Sequence, residues 1–435
     1  MLGKIFSVFV AIFVAIVSIQ TPMPEVEPMA VKADKSFVPV LRFVVSSDSH
    51  IKEYGDLGCQ RIMKMIETGY AAADTDKNYK NLDAAIMVGD ITNFGLPTAF
   101  MSVKASLDNC LRDGTDFLGV AAKNHDSYLG RISRSYISSI SGDKADFHKV
   151  INGYHFIGLS AAANIFVHYS NRQIKWLDKQ LAQAVADDPT KPVFVFQHEH
   201  IAGTVYGSYD EDGWGVDYLT DVLSKYPQVV DISGHSHYPA NDPRSISQDL
   251  GFTAINDGGL AYYEFTVDGS NSQHPESSDN MAHMLLVEVD KDNRVKVRVC
   301  DLNDEAVLAE YLIEDFDNPV KTKYSQVARS KKAKAPVFDT KPTVKVNGSD
   351  VTITSSPAVP SKNDVVFIYR LEITDADGNV VSSQKKLGDY YKHAVCQDIS
   401  FSASGLEKGK YTVKLVAEDA WGKASEPVTA KFTVK

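Results

Sequence analysis

The amino-acid sequence predicts an α/β layered domain followed by a smaller all-β sandwich, and two patterns carry that prediction. Between residues 41 and 233, apolar runs ending in small residues alternate with helix-like stretches. That order is the one expected of sheets covered by helices. Beyond a Lys-rich stretch at 330–336, runs of alternating polarity follow one another with no helical stretch between them, which is the texture of a β-sandwich.

In chain order, residues 41–47 (Leu-Arg-Phe-Val-Val-Ser-Ser) predict a buried strand. Residues 83–89, 116–121, 154–160, 192–197 and 228–233 repeat the pattern. Helices are expected at 60–73, 97–112 and 171–186, where apolar residues recur at helical spacing. In such a domain, functional residues gather where strands end and loops begin. After Gly259 short strands are predicted at 262–267, 284–289 and 294–300, the last two joined by the turn Asp290-Lys291-Asp292-Asn293 and completing the same domain. Residues 329–336 read as a solvated linker, so the first domain covers 38–328. Its basic stretch also allows contact with an anionic cell wall. From 337 to 435, strands are expected at 343–346, 351–354, 365–373, 411–418 and 428–434, with a hairpin at Asp377-Gly378.

The chain of 435 residues is long enough for two domains, and its 44% hydrophobic content is enough to build their cores. A formal net charge of -11 without a long basic run argues against a stable nucleic-acid complex, because phosphates need clustered Lys and Arg. It leaves a nucleotide substrate open, since bound cations would dominate the local field. Lys4 precedes an apolar run over 5–19 and then Val31-Lys32-Ala33, the profile of a leader removed after residue 33. The run is short of the roughly 20 residues a spanning helix needs; an uncleaved anchor is the other reading. The expected location is therefore outside the cell, free or at the cell surface. Cys59, Cys110, Cys300 and Cys396 are widely spaced, which allows up to two disulfides or four free thiols.

Five short motifs follow the predicted strands: Asp48-Ser49-His50, Gly89-Asp90-Ile91-Thr92-Asn93, Asn124-His125-Asp126, Gln197-His198 and Gly234-His235-Ser236-His237. Each alone is weak. Together, carboxylates and imidazoles at consecutive strand ends converge on one place and suit borderline metal ions. Side chains two apart on an extended segment share a side, which fits Asp48 with His50 and His235 with His237. Gly89 and Gly234 allow close backbone approach beneath them.

These motifs in this order resemble the calcineurin-like metallophosphoesterase family over roughly residues 38–305. The resemblance implies a layered β-sandwich core flanked by helices. It implies that Asp48, His50, Asp90 and His237 hold one metal and Asp90, Asn124, His198 and His235 a second, with Asp90 bridging. His125 takes the place of the family's catalytic histidine, and Asp126 that of a residue orienting it. The implied reaction is hydrolysis of a phosphomonoester or phosphodiester by hydroxide between two divalent ions. Purple acid phosphatases, within the same superfamily, carry a Tyr ligand to Fe(III) three residues after the bridging Asp. Asn93 stands there, leaving Mn, Zn or Fe(II). Lys123 replaces the family's Gly before Asn-His; if its φ were positive it would strain that loop by about 1 kcal/mol, and phosphate contact is its other reading. In the C-terminal part, residues 405–413 and 417–422 resemble fibronectin type III domains, an immunoglobulin-like sandwich, with Tyr411 as the corner tyrosine.

Other residues read less sharply. His200 fits a pocket wall or a bystander, His155 a structural role, and Tyr206, Tyr209 and Trp214 either a substrate-shaping loop or an aromatic cluster. The competing functional reading is a surface adhesion protein with an impaired centre, binding through its C-terminal sandwich. A zinc peptidase built on Gln197-His198-Glu199-His200 lacks a second histidine at helical spacing.

Overall fold

The computed structural model describes residues 22–128, 132–162, 168–318, 320 and 323–435. The predicted apolar leader run at 5–19 lies outside the described residues. The chain divides into two compact units. One runs to Ala240 and resumes over Ser245–Ser325; the other holds Asn241–Arg244 and Gln326–Lys435.

The first unit contains strands β1 (Pro39–Ser46), β2 (Ala84–Val88), β3 (Asp116–Val120), β4 (Phe147–Ile151), β5 (Tyr154–Gly158), β6 (Val193–Phe196), β7 (Val229–Ser233), β8 (Ile246–Ser247), β9 (Thr253–Asn256), β10 (His283–Asp290), β11 (Val295–Asp301) and β12 (Ala306–Ile313). They form two six-stranded sheets, ordered β12-β11-β10-β1-β2-β3 and β8-β9-β7-β6-β5-β4. β1, β2 and β3 run parallel, as do β5, β6, β7 and β9; the remaining pairings are antiparallel.

Alternation along each strand builds the layers. Leu41, Phe43 and Val45 of β1 meet Phe194 and Phe196 of β6 and Val230 and Ile232 of β7 in one core between the sheets. The rings of Phe43, Phe156 and Phe194 lie edge-to-face or tilted there, with centroids 4.9–5.3 Å apart. Val44, one residue along, faces the opposite way, into a cluster with helices α1 (Leu57–Thr75), α2 (Pro97–Cys110) and α3 (Ile132–Ser141). Val193 and Val195 likewise pack outward with α4 (Asn171–Asp187), whose start is closed by a Ser170–Gln173 capping box. The unit is thus a four-layer αββα arrangement whose parallel strands all end on one side.

Residues 22–33, assigned to the leader by sequence, belong to this packed unit. Met23, Met29 and Val31 are buried in the helix-covered cluster. The Met29 N–H donates to Thr68 Oγ1 at 3.1 Å, and Arg298 donates to the Lys32 carbonyl at 2.8 Å. Asp34 pairs with Lys296. A cut after Ala33 would strip these side chains from a formed core. Cys59, Cys110 and Cys300 are buried free thiols and Cys396 a half-buried one. No helix among the described residues is long and apolar enough to cross a membrane.

In the second unit a short helix, Gln326–Lys332, overlaps the solvated linker expected at 329–336. Arg329, Lys331 and Lys332 crowd its last turn, where the helix dipole favours cations. Two antiparallel sheets follow. One holds Thr343–Asn347, Asp350–Ser355 and Ile399–Ala403; the other holds Val380–Leu387, Val366–Thr374, Gly409–Asp419 and Val428–Val434. Val351, Ile353 and Phe401 of the first share a core with Leu371, Ile373, Val413 and Leu415 of the second.

Candidate metal centre

Every predicted ligand sits just past the end of a parallel strand. Asp48 and His50 follow β1, Asp90 follows β2, Asn124 follows β3, His198 follows β6, and His235 and His237 follow β7. The parallel ladder continues into the loops, where the His50 N–H donates to the Asp90 carbonyl and the Asp48 N–H to that of Gly89. Gly89, at φ +89°, lies so close to His198 that a Cβ would approach Nδ1 to 2.5 Å. A Cβ on Gly234 would collide with the Ser47 hydroxyl. Asp48, His50, Asp90, His235 and His237 themselves hold positive φ. Such backbone costs non-glycine residues free energy, and it persists where surrounding structure over-determines it.

The side chains form three groups able to hold a cation: Asp48–His50–His237, Asp90–His198–His235 and His50–Asp90–His125. His237 Nε2 lies 3.2 Å from Asp48 Oδ1, His198 Nε2 3.2 Å from Asp90 Oδ2, and His235 Nδ1 3.2 Å from His198 Nε2. Donors bound to one ion at about 2.1 Å are spaced this way. Among the described residues, three buried acceptors, Asp48 Oδ1, Asp90 Oδ1 and Asn124 Oδ1, find no hydrogen-bond partner. Unpaired buried acceptors are costly, and a cation among them would satisfy all three. The residues present fit a metal.

Surrounding contacts aim the rings. Carbonyls of Val88, Tyr262 and Asn93 face Nδ1 of His198 (2.8 Å), His237 (3.0 Å) and His125 (3.0 Å). A carbonyl only accepts, so each Nδ1 carries a proton, which leaves each Nε2 for the centre. Burial works against charge here, but the Asp90 and Asp48 carboxylates raise His198 well above the usual imidazole range. Burial and then the neighbouring His198 push His235 down to about 4. Burial works to raise Asp48 and Asp90 as well, yet nearby imidazoles hold both below the ordinary carboxylate range. The cluster thus balances its carboxylates with imidazolium, a role cations would take over.

Two expectations change. Asp126 does not orient His125: its buried carboxylate accepts the Thr92 N–H and hydroxyl (2.9 and 3.0 Å) and the Ala122 N–H (3.0 Å). It pins the loop after β2 to the loop after β3, while the Asn93 carbonyl fixes His125. Burial and the nearby Asp90 charge raise Asp126 to about 6. Lys123 lies outside the positive-φ residues, so the expected loop strain is absent.

His200 is buried with its ring nitrogens on the hydroxyls of Ser233 and Ser236, which makes it a brace under the His235 loop. His155 joins His148 at 2.7 Å on β4 and β5. Tyr206 is buried against Tyr238, whereas Trp214 presents its edge to His235 at 5.1 Å. Sequence reasoning missed Ser47, Asp257 and Tyr262. The Ser47 hydroxyl bridges Asp48 and Asp257, 2.6 Å from Asp257 Oδ1. Burial, then the Asp48 charge, raises Asp257 well above the carboxylate range. The signal for it was present: Asp257-Gly258-Gly259 follows β9 as the other motifs follow their strands. Tyr262 stacks on His237 at 4.0 Å and left no such signal.

No family model and no curated protein matches the sequence. Among solved structures the chain is similar to a purple acid phosphatase from yellow lupin (Lupinus luteus) seeds, at 12% identity and a TM-score of 0.43, covering 66% of this chain and 56% of that one. The chain thus spans little more than half the length of that protein. Over 22% of its length it is similar to the sixth fibronectin type III domain of a human fibronectin type III domain containing protein, at 22% identity and a TM-score of 0.17, covering 85% of that domain. At such values neither likeness bears on activity.

Proposed function

We propose that this chain is a secreted metal-dependent phosphoesterase that hydrolyses small phosphomonoesters or phosphodiesters, with two divalent transition-metal ions (Mn, Zn or Fe) as cofactors. One observation carries the reading: three buried acceptor oxygens that find no partner among the described residues, on Asp48, Asp90 and Asn124, stand among the imidazoles of one strand-end cluster. Asp48, His50, Asp90 and His237 would hold one ion and Asp90, Asn124, His198 and His235 the other, Asp90 serving both. When bound, the ions supply Lewis acidity that makes water nucleophilic near neutral pH and offsets phosphoryl charge.

The chain's own groups do the rest. Ser47 and Asp257 fix the Asp48 carboxylate, and the Tyr262 and Val88 carbonyls fix His237 and His198. His125, held through Nδ1 by Asn93, presents Nε2 beside His50 and Asp90. There it is placed to pass a proton to the departing oxygen. Asp126 is a positioning residue that holds the two neighbouring loops together. In the second unit, the Tyr411 hydroxyl donates to the Glu407 carbonyl four residues upstream at 2.8 Å, the bond of a tyrosine corner. It supports a fibronectin type III-like sandwich suited to cell-surface contact. An adhesion protein with an impaired centre is disfavoured, since its chief support was strain at Lys123.

Phosphate release from nucleotides, aryl phosphates and diesters by purified protein tests the reading. Turnover should disappear on chelation and return with Mn or Zn. No release from any ester by the metal-supplemented protein would overturn it.

A further inference from the structure

Among the Phe, Tyr and Trp side chains of the described residues only three stand exposed: Phe94 (50%), Tyr128 (57%) and Tyr218 (45%). All three lie on loops of the centre. Phe94 follows Asn93, whose carbonyl fixes His125. The Tyr128 ring lies 5.0 Å from that of His125. Tyr218 stacks at 5.3 Å on His168, whose Nδ1 is 3.2 Å from Glu199, the residue after His198. Deeper in, Tyr262 lies 5.8 Å from His50, and the His50 ring is 4.4 Å from that of His125. The remaining Phe, Tyr and Trp among these residues are buried or half-buried, so the exposed rings of these three types lie on loops around this cluster.

Resting on the phosphoesterase reading, we propose that the preferred substrate carries a planar ring on its leaving group, a nucleoside phosphate being the class that fits, and that Phe94 and Tyr128 hold that ring. The step places it there. The water oxygen bonds to phosphorus and gives up one proton, the P–O bond to the leaving group breaks, and the departing oxygen takes a proton from His125, which the water's proton restores. Whatever that oxygen carries therefore leaves past His125, where Tyr128 and the Phe94 loop lie. Phe94 can offer only a ring face, and stacking tolerates any base. The subsite selects for a ring and little for which ring.

A matched pair of substrates tests this. A nucleoside 5′-monophosphate and ribose 5-phosphate expel similar primary alcohols, so their leaving groups differ in the base and little in chemistry. The kcat/KM ratio should favour the nucleotide by about tenfold or more, as one stacked base is worth, and purine and pyrimidine nucleotides should differ much less. Phe94→Ala and Tyr128→Ala should each lower that ratio several-fold, while Tyr128→Phe keeps it. Equal kcat/KM for the pair, or a ratio unmoved in both Ala variants, would overturn the subsite and leave the phosphoesterase reading standing. Better turnover of ribose 5-phosphate than of the nucleotide would overturn it too, in favour of a sugar site. Absence of turnover on every ester would fail the underlying reading instead.

Discussion

Five of the seven predicted metal ligands hold left-handed backbone, at about 1–3 kcal/mol each. Asparagine tolerates that conformation well, so Asp90→Asn should keep the fold while removing the charge that would serve both proposed ions. Metal content and turnover should fall together. His125 poses the finer question, because it reaches donor distance of His50 and Asp90 without being assigned as a ligand. His125→Ala should retain metal while turnover falls about 10²–10⁴-fold, the usual worth of a positioned acid, and fall less for nitrophenyl esters, whose leaving oxygen needs no proton. Metal loss in that variant would make His125 a ligand. Lys123→Gly should give no gain in activity, since Lys123 carries no left-handed strain; weaker phosphate binding would instead identify a phosphate contact. A clear gain in turnover would contradict the unstrained loop.

At the scale of elements, the N-terminal segment 22–33 carries the clearest consequence. Its buried Met23, Met29 and Val31 are each worth about 1.5–3 kcal/mol of burial. A chain beginning at Asp34 should therefore melt well below one beginning at residue 22, and equal Tm values would refute the packing. Asp34 adds a pH signature. Its hydrogen bond with Lys296 lowers its pKa below the ordinary 3.8, so the charged form favours folding. That contribution is present above the ordinary carboxylate range and fades as pH falls through the lowered value. The stability difference between Asp34→Asn and the parent should be seen at pH 7 and shrink below about pH 4; a difference that grows in acid would contradict it. Partial exposure keeps it small. Strands β1, β2, β6 and β7 were legible because both faces are buried, leaving apolar runs. β4 and β12 were missed because, as edge strands with half-exposed residues, they mix polar and apolar side chains. α3 hides its Tyr136, Ile137 and Ile140 stripe among serines. The ligands were legible because glycines and strand ends frame them; the braces His200 and Tyr262, and Ser47 through Asp257, act through contacts distant in sequence.

For the whole molecule, two sheets bring five strand ends to one place, and a chain of net charge -11 concentrates buried carboxylates there. Cations balance such a cluster better than the imidazolium charges that hold it in their absence. Elemental analysis of protein purified without chelators tests this most directly. About two divalent transition-metal ions per chain are expected, lost in Asp90→Asn and kept in His125→Ala. Protein that carries no metal, and gains neither thermal stability nor turnover when Mn or Zn is added, would contradict it.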